Sequence, residues 1–190
     1  MKKNVLFAII GPSGAGKGTA IKEIKEKFKK VLIFPVSYTT RKMRENEKDG
    51  DVYYFITESK FESMIEEDEF LEYQKVHNNA YYGSSKKEIL EGLESKCVLR
   101  EFDIQGFLAI KDQLPKDQLV SIFIDVNNWE TLEKRITSRS KIDDKELEKR
   151  KNSYYQEIQY KDLCNYTIQS KDNQIPELIE DFENIIRKYV

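Results

Sequence analysis

The chain has 190 residues, 32 basic and 34 acidic side chains, a formal net charge of −2 and 39% hydrophobic residues. That size holds one core with small inserted units, and the near-balanced charge excludes a nucleic-acid binder working through a broad basic face. Cys97 and Cys164 lack CxxC or metal-ligand spacing and the single histidine, His77, has no metal partner in sequence, so the thiols read as reduced thiols of a cytosolic protein.

The first predicted element is a strand over Val5–Ile10, in "MKKNVLFAII". Its charged start resembles a signal peptide, but the apolar run is shorter than an h-region, and no run approaches the roughly 18 apolar residues of a membrane span. A soluble, cytoplasmic protein with no membrane partner is expected. A helix follows the next loop, with Ile21, Ile24 and Phe28 on one face and Lys22, Glu23, Lys25, Glu26, Lys27 and Lys29 toward water.

Further strands are predicted at Val31–Val36, Cys97–Phe102, Leu119–Val126 and Tyr166–Gln169; most are near-continuously apolar, as parallel strands buried on both faces are. Pro176 suits the first turn of a last helix, whose apolar stripe is Leu178, Ile179, Phe182, Ile185, Ile186 and Tyr189. Strands alternating with helices imply an α/β fold with a doubly wound parallel sheet. Two stretches break the rhythm. Residues 37–92 are rich in tyrosine and charge, and the alternation in "DVYYFI" suggests short antiparallel strands in a small mixed α+β insertion. Residues 139–150 are almost wholly polar. The expected core is therefore 1–36, 93–138 and 151–190, with both insertions at the edge of the sheet where ligands bind.

Gly11-Pro12-Ser13-Gly14-Ala15-Gly16-Lys17 satisfies G-x-x-x-x-G-K between a predicted strand and a predicted helix, and Gly18 and Thr19 complete "GPSGAGKGT". Half of the chain's eight glycines lie in these nine residues. Glycines let backbone N–H groups turn inward on phosphate oxygens, the helix adds its positive end, and Lys17 reaches the β- and γ-phosphates. The competing reading is a tight strand–helix turn with a chance lysine. In this context the loop points to a nucleoside triphosphate, ATP, which travels with Mg²⁺.

The stretches "VSYTTRKMR", "DGDVYYF", "EFLEY", "NNAYYGS", "FDIQG" and "LEKRITSR", with Arg150 eleven residues beyond the last, occur in this order over nearly the whole chain. As a set they resemble guanylate kinase. The resemblance implies a P-loop nucleoside monophosphate kinase in purine metabolism: 37–92 binds GMP, 139–150 is a lid, and ATP phosphorylates GMP to GDP. It assigns Glu72 to reading the base, with Ser37, Gly83 and Ser84 beside it. Glu101 and Asp103 are assigned to the water shell of Mg²⁺ or to the GMP base and ribose.

Chemistry gives these positions a reason. Arg41 and Arg44, beside Tyr53 and Tyr82, offer two guanidinium forks and two phenols to a monophosphate; the alternative is surface charge and packing. A carboxylate at Glu72 accepts the N1–H and 2-amino group of guanine, which adenine cannot offer; without the resemblance, Glu72 in "EEDEFLEY" reads as one more exposed acid of an acidic helix. Lys17, Arg139 and Arg150 form a charge clamp on the moving phosphoryl group, under a closing lid.

Three positions depart from the family pattern. Gly18 stands where a serine usually meets Mg²⁺, Arg100 stands where an apolar residue is typical, and Ser170 replaces an asparagine beside the adenine. The rival readings are a kinase of another small acceptor on the same frame and a non-catalytic, protein-binding module of this fold.

Overall fold

A computed structural model describes residues 3–45, 47–75, 79–139, 142–172 and 174–190, with the side chain of Arg139 outside that set. Its centre is strand β1 (Leu6–Ile10), in which every residue is buried. β1 pairs in parallel with β7 (Cys97–Glu101) on one side and β8 (Leu119–Asp125) on the other. β2 (Leu32–Ile33) and β9 (Tyr166–Gln169) close the edges, giving five parallel strands in the order β2-β7-β1-β8-β9.

The continuous apolar runs follow from this placement. Alternate residues of β1 point to opposite faces, and both faces are covered. Phe7 and Ile9 join Ile24 and Phe28 of α1 (Lys17–Phe28), Leu132 and Ile136 of α5 (Trp129–Arg139), and Phe182 and Ile186 of α7 (Ile175–Ile186). Leu6, Ala8 and Ile10 pack with Ile89 and Leu93 of α3 (Lys86–Ser95) and Phe107 and Ile110 of α4 (Ile104–Lys111). The doubly wound sheet expected from the sequence is present. Among the described residues, no helix is long and apolar enough to cross a membrane.

The insertion builds a second sheet, in the order β4-β3-β6-β5, from β3 (Ser37–Thr39), β4 (Tyr53–Phe55), β5 (Phe70–Lys75) and β6 (Tyr81–Ser85). One expectation fails here. β4, the core of "DVYYFI", runs parallel to β3, while the β3–β6 and β5–β6 pairs are antiparallel. Alternation reports one buried face and says nothing about a partner's direction. Helix α2 (Glu58–Glu66) lays Phe61 on the sheet, stacked 4.3 Å from the Phe70 ring and 5.0 Å from Tyr81. Gly83 makes room for that stack, since a Cβ there would stand 2.7 Å from Phe70.

Of the polar stretch 139–150, Arg139 ends α5 and residues 144–150 open α6 (Asp144–Glu157), which Asp143 caps by accepting from the Glu146 N–H at 2.8 Å. The expected boundary at 150 falls inside this continuous helix, and the boundary at 93 falls inside α3. His77 lies outside the described residues, as do 140 and 141 of the stretch.

Candidate active site

The phosphate-loop pattern occupies the turn from β1 into α1. Gly11 has φ 137°, and a Cβ there would stand 2.4 Å from the Ile124 carbonyl oxygen on β8, so the tight exit from β1 admits only glycine. Ala15 N–H donates to the Pro12 carbonyl at 3.0 Å inside the loop. Lys17, the first residue of α1, is buried and donates through Nζ to the carbonyls of Gly11 at 2.5 Å and Pro12 at 3.1 Å. Its ammonium is also 3.5 Å from Glu101 Oε1. The loop from Gly11 to Thr19, apart from Pro12 and Ala15, lines a cavity of about 940 Å³. Gly18 has no heavy atom within 4 Å of where a Cβ would be, so nothing crowds a side chain out; the nearest loop hydroxyl beyond Lys17 is that of Thr19.

A second cavity, about 420 Å³, lies between the two sheets and is lined by Ser37, Tyr82, Gly83 and Glu72, among others. Glu72 is on strand β5 and partly buried, not in a helix as its local composition suggests. The acidic run before it caps and ends α2, and the chain turns at Asp68 (φ 54°) into the strand. Ser84 is buried on β6 and donates its hydroxyl to Glu72 Oε1 at 2.5 Å. Burial pushes the Glu72 carboxyl above its ordinary pKa, Asp103 pushes the same way, and the Ser84 hydroxyl and the Arg100 guanidinium hold it down. The other carboxylate oxygen rests against α4: a Cβ on Gly106 would be 2.9 Å from Glu72 Oε2.

The two cavities share a wall of Val52, Tyr53, Glu101, Phe102 and Asp103. Glu101 ends β7 and is half exposed. Asp103 spends one oxygen on capping α4, accepting from the Gly106 N–H at 2.8 Å. This pair of hard oxygen donors, beside a phosphate loop, suits a divalent cation that keeps most of its water.

The expected monophosphate cage is assembled in part. Tyr53 and Tyr82 meet edge-on at 5.6 Å, and the Arg41 guanidinium lies 5.1 Å over the Tyr53 ring. Arg44 lines the phosphate-loop cavity. The fork of Arg41, however, is engaged by Glu47, with Nη1 and Nη2 donating to its two oxygens at 2.6 and 2.5 Å. The Arg44 N–H adds a third bond to this carboxylate at 2.9 Å. These bonds, that from Arg41 first, lower the Glu47 pKa to about 2. A carboxylate thus holds the planar fork in which a phosphate also fits.

Arg150 is not brought to the loop. It donates through Nε to Glu146 one turn earlier on α6, at 3.0 Å. Arg139 closes α5, and its side chain lies outside the described residues. Sequence patterning passed over two residues that the fold places here. Glu157, seven residues after Arg150 and on the same face of α6, lines the phosphate-loop cavity. Burial raises its pKa to about 6 against the pull of Lys17, with Asp103 adding to the rise. Arg135 donates to the Ser170 hydroxyl and carbonyl and to Asp172, each at 2.9 Å. The Ser170 hydroxyl is 3.6 Å from the Cβ position of Gly16. Arg135 precedes Arg139 by four residues and Glu157 follows Arg150 by seven, spacings that mark a shared helix face in each case.

The guanylate kinase family model matches residues 3–189. A guanylate kinase of Caldanaerobacter subterraneus subsp. tengcongensis is 43% identical over 172 residues, 90% of this chain and 82% of that protein. One from Clostridium acetobutylicum is 45% identical over 168 residues, 88% of this chain and 78% of that protein. One from Fusobacterium nucleatum subsp. nucleatum is 36% identical over the full length of both. In fold, the chain superposes on a crystal structure of guanylate kinase from Anaplasma phagocytophilum with a TM-score of 0.77 at 24% identity, covering 98% of this chain and 86% of that one. With a family match over nearly all of its length, the chain belongs to the guanylate kinase family.

Proposed function

We propose that this protein transfers the γ-phosphoryl group of ATP to GMP, giving ADP and GDP, as a cytoplasmic enzyme acting on free nucleotides. The observation that carries the reading is the shared wall of the two cavities: one opens on the phosphate loop, the other on Glu72, and they meet at Tyr53, Glu101 and Asp103. Two nucleotides seated in them turn their phosphates toward one another.

The loop from Gly11 to Thr19 binds the triphosphate, with Lys17 leaving the carbonyls of Gly11 and Pro12 for phosphate oxygens. Residues 37–92 form the GMP-binding unit. Glu72 accepts from the guanine N1–H and 2-amino group, while Tyr53, Tyr82, Arg41 and Arg44 hold the monophosphate. An oxygen of that monophosphate attacks the γ-phosphorus, the bond to the β,γ-bridging oxygen breaks, and ADP leaves. The attacking phosphate is already largely ionised, its second pKa being about 6, so no general base is required. Lys17, with Arg139 and Arg150 from the lid at 139–150, offsets the charge that spreads over the transferred group. Glu101 and Asp103 would hold Mg²⁺ through its water shell, and the ion would supply positive charge against that of the triphosphate.

A coupled assay of ADP release tests this, with ATP and Mg²⁺ fixed and GMP, dGMP, AMP, UMP and CMP offered in turn. Turnover confined to guanine nucleotides is expected, with Glu72→Gln raising the KM for GMP and not that for ATP. Equal turnover with AMP, or equal loss of both nucleotides in Glu72→Gln, overturns the assignment of the base site.

A further inference from the structure

Strand β7 carries one residue out of keeping with the rest of the main sheet. Cys97, Val98 and Leu99 are buried and apolar, and the next residue is Arg100, whose partner in register on β1 is Ala8. A guanidinium loses water at such a position, and the loss must be met by hydrogen bonds. Arg100 makes them across the junction of the two sheets. Its Nε donates to the Ser84 hydroxyl at 3.1 Å, and its Nη1 donates to the Pro35 carbonyl at 3.2 Å. The side chain lines the same cavity as Glu72.

The first of these bonds decides what Ser84 does. A serine hydroxyl has one proton. With its oxygen accepting from Arg100, that proton goes to Glu72 Oε1, 2.5 Å away. One face of the carboxylate is thereby tied to β6 and β7, and Glu72 Oε2 is backed by the bare α-carbon of Gly106. The groups around Glu72 are thus Arg100 from β7, Ser84 from β6 and Asp103 from the start of α4; of these only Arg100 brings positive charge to offset the cost of keeping the carboxylate dry and ionised.

We propose that Arg100 is a specificity-determining positioning residue: by orienting the Ser84 hydroxyl and standing as the counter-charge beside Glu72, it aims the carboxylate that selects a 2-amino-6-oxopurine monophosphate. The proposal rests on the reading of Glu72 as the group that meets the base.

The test compares GMP with IMP, which keeps the N1–H and 6-oxo group and lacks only the 2-amino group. Wild type is expected to prefer GMP in kcat/KM. Arg100→Met keeps an unbranched side chain and removes the charge and the donors. It is expected to raise the KM for GMP roughly ten- to a hundredfold, the usual range for a lost bond to a charged group, and to bring the GMP-to-IMP ratio toward one. The KM for ATP is expected to stay at its wild-type value. Ser84→Ala, which cuts the relay and leaves both charges, is expected to lower the ratio in the same direction by less.

If wild type shows no preference for GMP over IMP, the reading of Glu72 fails and the proposal with it. If wild type prefers GMP and Arg100→Met keeps that preference, the proposal alone is overturned. A parallel rise in the KM values of GMP and ATP assigns Arg100 to the fold and also overturns it. Should Arg100→Met not fold, Ser84→Ala decides, and a retained preference is again the overturning result.

Discussion

Glu157 carries a cost that the protein retains at the phosphate-loop cavity. Its carboxyl titrates near pH 6 in the folded chain against an ordinary value of 4.5. Below about pH 4.5 folded and unfolded chains both hold the proton, and the residue is neutral to stability. Between 4.5 and 6 the unfolded chain releases the proton while the folded chain keeps it, so stability falls with rising pH. Above 6 the folded chain holds an ionised carboxylate in a half-buried place, at a cost of up to about 2 kcal/mol. Glu157→Gln is therefore expected to raise the melting temperature at pH 8 by a few degrees and to leave it unchanged at pH 4.5, as thermal scans at the two values will read. A shift of equal size at both values removes this account of the group. The rise at Glu157 could not be read from the sequence because burial in the folded chain sets it first, and then Lys17 and Asp103, respectively 140 and 54 positions away. Lys17 itself was legible, since a phosphate loop is a local pattern whose residues need only one another.

The elements show a similar division. The parallel strands were legible because two-sided burial writes a continuous apolar run into each of them, as in Leu6–Ile10 and Leu119–Asp125. The direction of β4 and the strand at Glu72 were not. Both belong to a small sheet whose apolar cluster has three buried side chains among the described residues, Phe61, Met64 and Phe70, too few positions to stamp a period on the chain. A contact between a helix of the core and a strand of the small sheet supplies the next test. The start of α4 approaches β5 so closely that a methyl group on Gly106 would meet Glu72 Oε2 at 2.9 Å, and what it meets is the free end of a flexible side chain. Gly106→Ala is accordingly expected to fold with near-normal stability, an alanine suiting the helix better than glycine. Its carboxylate at Glu72 is displaced, and the KM for GMP is expected to rise severalfold with the KM for ATP unmoved. A large loss of stability with an unchanged KM for GMP would show that the strands, and not Glu72, give way.

At the scale of the molecule, the sequence indicated two insertions standing off a sheet, and the structure adds where they point. The cavity at Glu72 and the phosphate-loop cavity meet over Tyr53, Glu101 and Asp103, but Arg150, proposed above as a lid arginine, is turned to Glu146 on its own helix. Glu157 already reaches the loop cavity from the same face of α6, and Arg150 lies two turns nearer the tip, about 10 Å along the axis. On the proposed function, a swing of the tip of α6 over the loop would carry Arg150 toward the transferred group without unfolding a turn. On the proposed function Arg41 faces a parallel exchange, its fork passing from Glu47 to the monophosphate or being shared with it. Both exchanges trade an internal carboxylate for a phosphate, so they are driven only when the nucleotides are present. Small-angle scattering is expected to show a radius of gyration near the roughly 16 Å typical of 190 residues for the free protein. A decrease is expected with GMP, and a further decrease when a non-hydrolysable ATP analogue joins it. In Glu146→Ala, where Arg150 has lost its partner on α6, the second decrease is expected at a lower concentration of the analogue. Identical scattering curves for the free and doubly loaded protein would mean that the phosphoryl group is transferred in the arrangement seen here, with Arg150 outside it.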